Sequence, residues 1–214
     1  MSAFYPILDL DLAARRGHEP AALARGLADA GVAWLQVRAK NLPAAQFLAA
    51  ADKVLNRLAQ APNPPRLIIN DRMDIALLTG AQGAHLGQDD LPLAAAAQLR
   101  PPGFHLGWST HHPKQLSAAA ALGIADYLAY GPIFATHSKI NPDPVVGLEG
   151  LARARQLYSG PLAAIGGITP QNCTQVMRAG ANLIAVIAGW LDDAAPLTRA
   201  QAYMDACAAA ENIA

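Results

Sequence analysis

The chain of 214 residues contains 53% hydrophobic residues, and its 16 Lys and Arg balance its 16 Asp and Glu to a formal net charge of +0. This length predicts a single domain, residues 1–214, which can bury most of its apolar surface without disulfides or metal. A neutral chain has no general attraction for nucleic acid or for an anionic membrane, so any anion that it binds must be held by a local cluster of cations.

Short β-like runs alternate with Ala- and Leu-rich stretches of helical spacing along the whole chain. The predicted strands are Tyr5–Leu8, Trp34–Val37, Arg66–Ile69, Gly83–Leu86, His105–Trp108, Tyr127–Tyr130, Leu162–Ile165 and Leu183–Ile187. The predicted helices are Pro20–Gly31, Pro43–Ala59, Asp71–Thr79, Leu91–Leu99, Pro113–Leu122, Leu148–Tyr158, Pro170–Ala179 and Asp193–Ala209. Several of these helices start with Pro, whose missing N–H costs little at that position.

Eight strand–helix units of about 27 residues each predict an α/β fold, a single-domain (β/α)8 TIM barrel near its lower length limit. Continuous apolar runs such as Leu183–Ile187 are typical of parallel strands that are covered on both faces. The alternative is an open doubly wound sheet, which normally carries a glycine-rich phosphate turn after its first strand. The first glycine here is Gly17, well past that strand, and we therefore favour the barrel.

The cysteines and the apolar runs give no sign of export or of membrane insertion. Cys173 and Cys207 have no metal-ligand or redox spacing, and we expect both to be buried. The sequence opens without a basic segment followed by an apolar one, and no run of about 18 apolar residues occurs. We expect a reduced, cytoplasmic protein that binds neither nucleic acid nor membrane; its oligomeric state is not predicted.

Polar residues follow nearly every predicted strand. In a barrel the C-terminal strand ends share one mouth, where the chemistry of this fold takes place. Taken singly, these residues have ordinary interpretations: Arg38 and Lys40 suit a solvated surface, Asp71 suits a helix N-cap and Gly166-Gly167 suit a tight turn. Their convergence on one end of the barrel is what predicts a functional site.

Small residues follow the last two strands, at the place where barrels commonly bind phosphate. Gly166-Gly167 and Ala188-Gly189 allow backbone N–H groups to approach phosphate oxygens closely, and helix N-termini add partial positive charge. We therefore predict a substrate with a monophosphate at this end of the mouth.

A second group of residues predicts a diphosphate. Arg38, Lys40 and Lys139 supply more positive charge than one monophosphate needs. Asp71 and Asp90 would repel a diphosphate unless a metal ion lay between, and Mg²⁺ takes one or two carboxylates together with phosphate oxygens. The set predicts transfer of a group away from a Mg²⁺-bound diphosphate. No Ser–His–Asp arrangement is evident in the sequence.

Six segments with their order and spacing resemble the thiamine phosphate synthase family over nearly the whole chain. They are Leu35–Lys40 (LQVRAK), Leu67–Arg72 (LIINDR), Gly83–Asp90 (GAHLGQDD), Tyr130–Lys139 (YGPIFATHSK), Gly147–Gly150 (GLEG) and Ala164–Ile168 (AIGGI). The resemblance implies a (β/α)8 barrel with Mg²⁺ as cofactor and small phosphorylated substrates as partners. It implies that hydroxymethylpyrimidine diphosphate and hydroxyethylthiazole phosphate give thiamine phosphate and diphosphate by a dissociative reaction.

The family's residue roles carry over by position. The diphosphate is assigned to Arg38, Lys40, Asn70 and Lys139, and Mg²⁺ to Asp71 and Asp90. The pyrimidine is assigned to Gln36 and Ser109, and the thiazole phosphate to Thr136, Ser138, Gly166, Gly167, Ile187 and Ala188. Arg38, Ser109 and Lys139 are the expected catalytic residues. The long segment Ala135–Val146 is expected to order over the substrates and exclude water.

Two departures from the family and two rival functions accompany this interpretation. The opening Tyr5–Asp9 is less typical of the family, although we expect the first strand to carry little of the chemistry. Ala188 stands where the family usually has a phosphate-binding Ser, so we expect weaker thiazole phosphate binding. The related thiazole tautomerase, an isomerase on the same barrel, usually has His where Pro132 stands here. A non-catalytic barrel that binds phosphorylated ligands is the rival from another class, and it should lack a metal carboxylate that this chain retains.

Overall fold

The protein is a closed barrel of eight parallel strands in sequence order, with β1 beside β8. Its computed structural model describes residues 2–136 and 143–211. The strands are β1 (Phe4–Asp9), β2 (Trp34–Arg38), β3 (Arg66–Asn70), β4 (Gly83–Leu86), β5 (His105–Thr110), β6 (Tyr127–Tyr130), β7 (Leu162–Ile165) and β8 (Leu183–Val186). The predicted (β/α)8 fold is confirmed, and the open-sheet alternative is wrong.

Helices cover the outside of the barrel. They are α1 (Leu10–Arg15), α2 (Pro20–Asp29), α3 (Ala44–Leu58), α4 (Met73–Thr79), α5 (Leu93–Leu99), α6 (Pro113–Leu122), α7 (Gly147–Leu157), α8 (Cys173–Arg178), α9 (Ala188–Leu191) and α10 (Pro196–Glu211). The short helices α1 and α9 were not predicted, because four to six residues are too few to show helical periodicity. Both follow a strand end directly and therefore lie at the mouth.

Side chains alternate between the barrel interior and the layer under the helices. In β6, Tyr127 and Ala129 belong to the interior, whereas Leu128 and Tyr130 pack in the outer core. The interior group consists of Tyr5, Ile7, Ile68, Tyr127, Ala129, Ala163 and Ala185. Two phenols therefore lie inside the barrel, where an apolar filling is usual.

A glycine in β5 makes room for one of these phenols. A Cβ at Gly107 would collide with the phenol end of Tyr127 and with the imidazole of His85. The interior is thus built around these two polar rings, which stack with their centroids 5.4 Å apart.

Two further expectations concern the cysteines and the membrane. Cys173 and Cys207 are both buried and free, as expected. Within residues 2–136 and 143–211, no helix is long and apolar enough to cross a bilayer.

Candidate active site

An ion pair with Asp9 fixes Arg38 at the mouth. The two residues end β2 and β1 and lie opposite each other in the ladder. Asp9 is 4% exposed, and its carboxylate also accepts a hydrogen bond of 2.9 Å from the N–H of Leu12 in α1. The guanidinium therefore meets a carboxylate that is already held in place, and its remaining donors stay available for an anion. Asp9 was not among the predicted site residues, although it directly follows the predicted strand Tyr5–Leu8.

Helix α1 also anchors the loop that carries Lys40. The backbone N–H of Lys40 donates to the Asp11 carboxylate at 2.9 Å, and the Asn41 N–H donates to the same oxygen at 3.2 Å. The ammonium group of Lys40 forms an ion pair with Asp71, the residue after β3. Two residues that were assigned to the diphosphate and to the metal are thus paired with each other.

The structure contradicts the alternative in which Asp71 caps a helix. Helix α4 begins at Met73, and the N-cap residue is Arg72, which makes no side-chain capping hydrogen bond. Asp71 adopts a φ of +63°, and among the described residues it alone does so without being a glycine. Its N–H donates to the carbonyl oxygen of His85 at 2.8 Å. This left-handed turn directs the Asp71 carboxylate toward Lys40 instead of the helix, and such outliers concentrate at functional sites.

Asp90 lies beside Asp71 at the end of β4. Its carboxylate accepts a hydrogen bond of 2.7 Å from the Gly87 N–H. Burial raises the pKa of Asp90 above its usual value, and the neighbouring charge of Asp71 adds to this rise. Two carboxylates are therefore held close together at the mouth.

This pair of carboxylates fits Mg²⁺ if other ligands complete the shell. Within residues 2–136 and 143–211 there is no group of three or more His, Cys, Asp or Glu side chains that could hold a metal ion. Mg²⁺ characteristically takes one or two carboxylates and fills its remaining positions with phosphate oxygens and water. Asp71 and Asp90 match that donor set, whereas a dedicated all-protein metal cage does not occur in this part of the chain.

Asn70 ends β3 and is 8% exposed. Every fully buried side-chain polar atom of the described residues has a hydrogen-bond partner. The Asn70 amide makes no hydrogen bond with the described residues, so its polar atoms must reach the surface of the mouth. The structure therefore brings Arg38, Lys40, Asn70, Asp71 and Asp90 together around β2 to β4, a group that we call the charged end of the mouth.

Gln36 and Ser109 are joined through the barrel interior by a chain of hydrogen bonds. The Gln36 amide nitrogen donates to the Tyr5 hydroxyl at 2.9 Å, and this hydroxyl lies 2.8 Å from that of Tyr127. The Tyr127 hydroxyl lies 2.9 Å from Nδ1 of His85. Nε2 of His85 lies 2.9 Å from Oγ of Ser109. The three central residues, Tyr5, Tyr127 and His85, were not among the predicted site residues, and neither was the Ser–His pair that the fold creates.

Burial keeps the two tyrosines and the histidine of this hydrogen-bond chain uncharged. It raises the pKa of the Tyr5 and Tyr127 phenols well above their usual values, and it lowers the pKa of His85 to about 4. Both effects arise because a buried group resists the charged form. The interior chain is therefore a set of neutral donors and acceptors at neutral pH.

The two glycines after β7 are required by packing. Gly166 and Gly167 have φ values of +104° and +62°, and a Cβ at Gly167 would lie 2.5 Å from the carbonyl oxygen of Ala135. The segment after β6 therefore lies directly on this turn, and the Phe134 N–H donates to the Gly166 carbonyl oxygen at 3.0 Å. The tight-turn interpretation is correct, and it leaves the backbone N–H groups of the turn available.

Unpaired backbone donors gather at the ends of β7 and β8. The N–H groups that donate no hydrogen bond to a described residue include those of Gly166, Gly167, Ile187 and Ala188. These four donors follow two neighbouring strands, β7 and β8, and free N–H groups of this kind are suited to an anion. We call this group the backbone end of the mouth.

Part of the predicted site lies outside the described residues. This applies to Ser138 and Lys139 and to half of the predicted lid, Ala135–Val146. Thr136 is the last described residue before that gap, and it is half-buried. It follows the stretch that packs on Gly166 and Gly167, so the chain enters the lid from the backbone end.

Comparisons with known proteins agree with this geometry. Residues 4–189 match the model of a family described as thiamine monophosphate synthase. A thiamine-phosphate synthase of Koribacter versatilis is 45% identical over 205 residues, which is 94% of this chain and 93% of the relative. A thiamine-phosphate synthase of Methanoculleus marisnigri is 40% identical and covers 92% of both chains.

The solved structures include a close match in fold. Thiamine phosphate pyrophosphorylase from Pyrococcus furiosus superposes with a TM-score of 0.83 at 26% identity, over 97% of this chain and 96% of its own. 3-Hexulose-6-phosphate synthase, at 18% identity and a TM-score of 0.68, shares the fold alone. Because the family model spans most of the chain and the relatives match over nearly their full length, this chain belongs to the thiamine monophosphate synthase family.

Proposed function

We propose that this protein joins hydroxymethylpyrimidine diphosphate to hydroxyethylthiazole phosphate, giving thiamine phosphate and diphosphate. The observation that carries the proposal is the division of one mouth into a charged end and a backbone end. One end suits a diphosphate with a metal ion, and the other suits a monophosphate. A reaction between two phosphorylated substrates needs both.

The charged end would hold the pyrimidine diphosphate. Arg38, Lys40 and Asn70 supply donors toward its oxygens, and Lys139 is expected to join them. Asp71 and Asp90 would hold Mg²⁺, which would neutralise the charge that develops on the departing diphosphate. Lys40 and Asp71 form an ion pair in the free protein. With the ligand bound, Lys40 would face the diphosphate and Asp71 would face Mg²⁺.

The proposed chemistry is dissociative. The bond between the pyrimidine methylene carbon and the diphosphate oxygen breaks, and its electron pair leaves with the diphosphate. The thiazole nitrogen then donates its lone pair to the methylene carbon and forms the new C–N bond. Such a mechanism needs charge stabilisation and exclusion of water, which Arg38, Lys139 and the predicted lid would supply.

The backbone end would orient the thiazole. The N–H groups of Gly167 and Ala188 would bind its phosphate, with Thr136 and Ser138 beside them. Since this binding uses main-chain donors, the missing hydroxyl at Ala188 weakens the phosphate contact without abolishing it. The other predictions from the sequence, a cytoplasmic location and the lack of nucleic-acid partners, stay predictions.

A product assay tests the proposed function. Purified protein with both substrates and Mg²⁺ should form thiamine phosphate and diphosphate in equal amounts, and excess chelator should stop the reaction. A tautomerase would isomerise a thiazole phosphate without releasing diphosphate, and a binding protein would retain both ligands unchanged. Either result would contradict the proposal.

A further inference from the structure

The interior hydrogen-bond chain has a direction that its first member determines. The Gln36 amide nitrogen can only donate, so the Tyr5 oxygen accepts from it. Among the described residues, the Tyr127 oxygen is then the acceptor within reach of the Tyr5 hydroxyl proton. Tyr127 has one proton, and its next neighbour is Nδ1 of His85. Each hydroxyl thus accepts on the Gln36 side and donates toward His85.

This direction determines the tautomer of His85. His85 is 8% exposed, and the side-chain hydrogen-bond partners of its ring in the described residues are two hydroxyls, so a charged imidazole would be buried without a hydrogen-bonded carboxylate. A neutral ring that accepts at Nδ1 must carry its proton at Nε2. Nε2–H therefore donates to Ser109, and the Ser109 proton is left to point into the mouth.

The arrangement is opposite to that of a serine nucleophile. In a Ser–His–Asp triad, Nδ1–H donates to the carboxylate, and Nε2 accepts the serine proton. Here a phenol donates to Nδ1, so Nε2 already carries a proton and cannot take one from Ser109. The Ser–His pair therefore fixes the hydroxyl of Ser109 as a donor and does not activate it for attack.

The other end of the chain presents the complementary group. Gln36 is 2% exposed, and its amide oxygen accepts no hydrogen bond from a described residue. Fully buried side-chain polar atoms in this part of the protein all have partners, so this oxygen must reach the mouth. The chain thus offers an acceptor at Gln36 and a donor at Ser109.

We propose that Tyr5, Tyr127 and His85 are positioning residues, which orient Gln36 as an acceptor and Ser109 as a donor for an aminopyrimidine ring. The ring carries the matching pair, an exocyclic amine that donates and ring nitrogens that accept. The identity of this ligand rests on the proposed function, whereas the direction of the interior hydrogen bonds does not. Gly107, which makes room for Tyr127 and His85, is part of the same arrangement.

Nitrogen-15 NMR of histidine-labelled protein tests the direction without any assay of activity. At neutral pH and without ligands, His85 should show a bare Nδ1 and a protonated Nε2. A protonated Nδ1, as in a catalytic triad or a charged ring, would overturn the proposal. This measurement stands even if the wild-type protein forms no thiamine phosphate, a result that would refute the proposed function alone.

Kinetics of Tyr127→Phe then test the positioning role, with Tyr130→Phe as the matched control. Both residues are buried tyrosines of β6, but Tyr130 faces the helices and is not part of the hydrogen-bond chain. For Tyr127→Phe, kcat/KM for the pyrimidine diphosphate should fall about tenfold, the scale of one hydrogen bond, and the KM for thiazole phosphate should stay within about twofold. The His85 nitrogen shifts should change as well.

Two results would contradict the positioning role. One is a Tyr127→Phe protein with unchanged His85 nitrogen shifts and unchanged kinetics, and the other is an equal loss for both substrates. A further comparison uses Ser109→Ala: if Tyr127 acts mainly through Ser109, adding Tyr127→Phe to Ser109→Ala should cause much less than the tenfold loss. Fully additive losses would show that the two residues act independently.

Discussion

The two ends of the mouth offer different kinds of donor to the anions that we propose they bind. At the charged end, Arg38 and Lys40 are paired with Asp9 and Asp71. At the backbone end, the donors are the N–H groups after β7 and β8, such as those of Gly167 and Ala188, and they donate no hydrogen bond to the described residues. Side-chain charges have to exchange partners when a ligand binds, whereas backbone donors are fixed by the fold before it arrives. We therefore expect the charged end to be sensitive to side-chain identity and the backbone end to be sensitive to backbone geometry.

Loss of a metal carboxylate should have the largest effect. Asp71→Asn and Asp90→Asn should each lower turnover by about 10² or more, since charge stabilisation of a leaving group is worth a few kcal/mol. The control is Asp89→Asn, because Asp89 is an exposed carboxylate next to Asp90 without an assigned role. Steady-state turnover with both substrates measures the effect. Equal losses in Asp89→Asn and Asp90→Asn would contradict a specific metal role.

A Cβ at the backbone end should cost stability and thiazole phosphate binding together. Gly167→Ala forces a left-handed alanine and a contact with the Ala135 carbonyl, and we expect a loss of about 2 kcal/mol in the free energy of unfolding. Gly103→Ala is the control, because Gly103 has a φ of +78° with open space around it. It should lose about 1 kcal/mol from the backbone conformation alone.

Denaturant unfolding of the two alanine variants would measure this difference. If Gly103→Ala and Gly167→Ala were equally stable, the packing of the segment after β6 on the β7 turn would be of no consequence. If Gly167→Ala bound thiazole phosphate normally, the backbone end would be wrongly assigned.

Removal of Lys40 should affect one ligand only. Lys40→Ala deletes a cation of the charged end, and we expect pyrimidine diphosphate binding to weaken about tenfold, the scale of one charge-assisted hydrogen bond. Thiazole phosphate binding should not change. Lys53→Ala is the control, since Lys53 is an exposed cation of α3 whose ion pair is with Glu19, the N-cap residue of α2, and not with a residue of the charged end. Titration of each ligand measures the two affinities. Equal weakening of binding for both ligands would contradict the assignment of Lys40 to the diphosphate alone.

The smallest expected effect is a gain. Ala188→Ser adds a hydroxyl beside the unpaired N–H groups after β8, and it should lower the KM for thiazole phosphate a few-fold, by about 1 kcal/mol. Lowering of the KM for the pyrimidine diphosphate instead would mean that the β8 end faces the other substrate. Kinetics with each substrate varied in turn would measure both constants.

The charged end could be predicted from the sequence because it depends on topology. Parallel strands bring their C-terminal ends to one mouth, so Arg38, Asn70 and Asp90 could be grouped once the strands had been recognised. The sequence does not show how these residues pair. Arg38 is paired with Asp9, and the loop of Lys40 is held by Asp11 of the short helix α1. The turn at Asp71 depends on a positive φ, which the sequence pattern does not predict.

The interior chain could not be predicted for a different reason. Tyr5 and Tyr127 are 122 positions apart in the sequence, and each looks like an ordinary core residue of a strand. Their shared feature is an inward-facing phenol, which becomes visible only when the barrel closes and sets the two hydroxyls against each other. His85 gave the one available signal, since it is a polar residue inside the short apolar strand β4.

Calorimetric titration of the two ends together tests the central claim most directly. Inorganic diphosphate with Mg²⁺ and hydroxyethylthiazole phosphate cannot react with each other, so their binding can be measured at equilibrium. We expect the protein to bind both at once, with thiazole phosphate still titrating one site when diphosphate and Mg²⁺ are saturating. Competition between the two ligands for a single site would contradict the division of the mouth into a charged end and a backbone end.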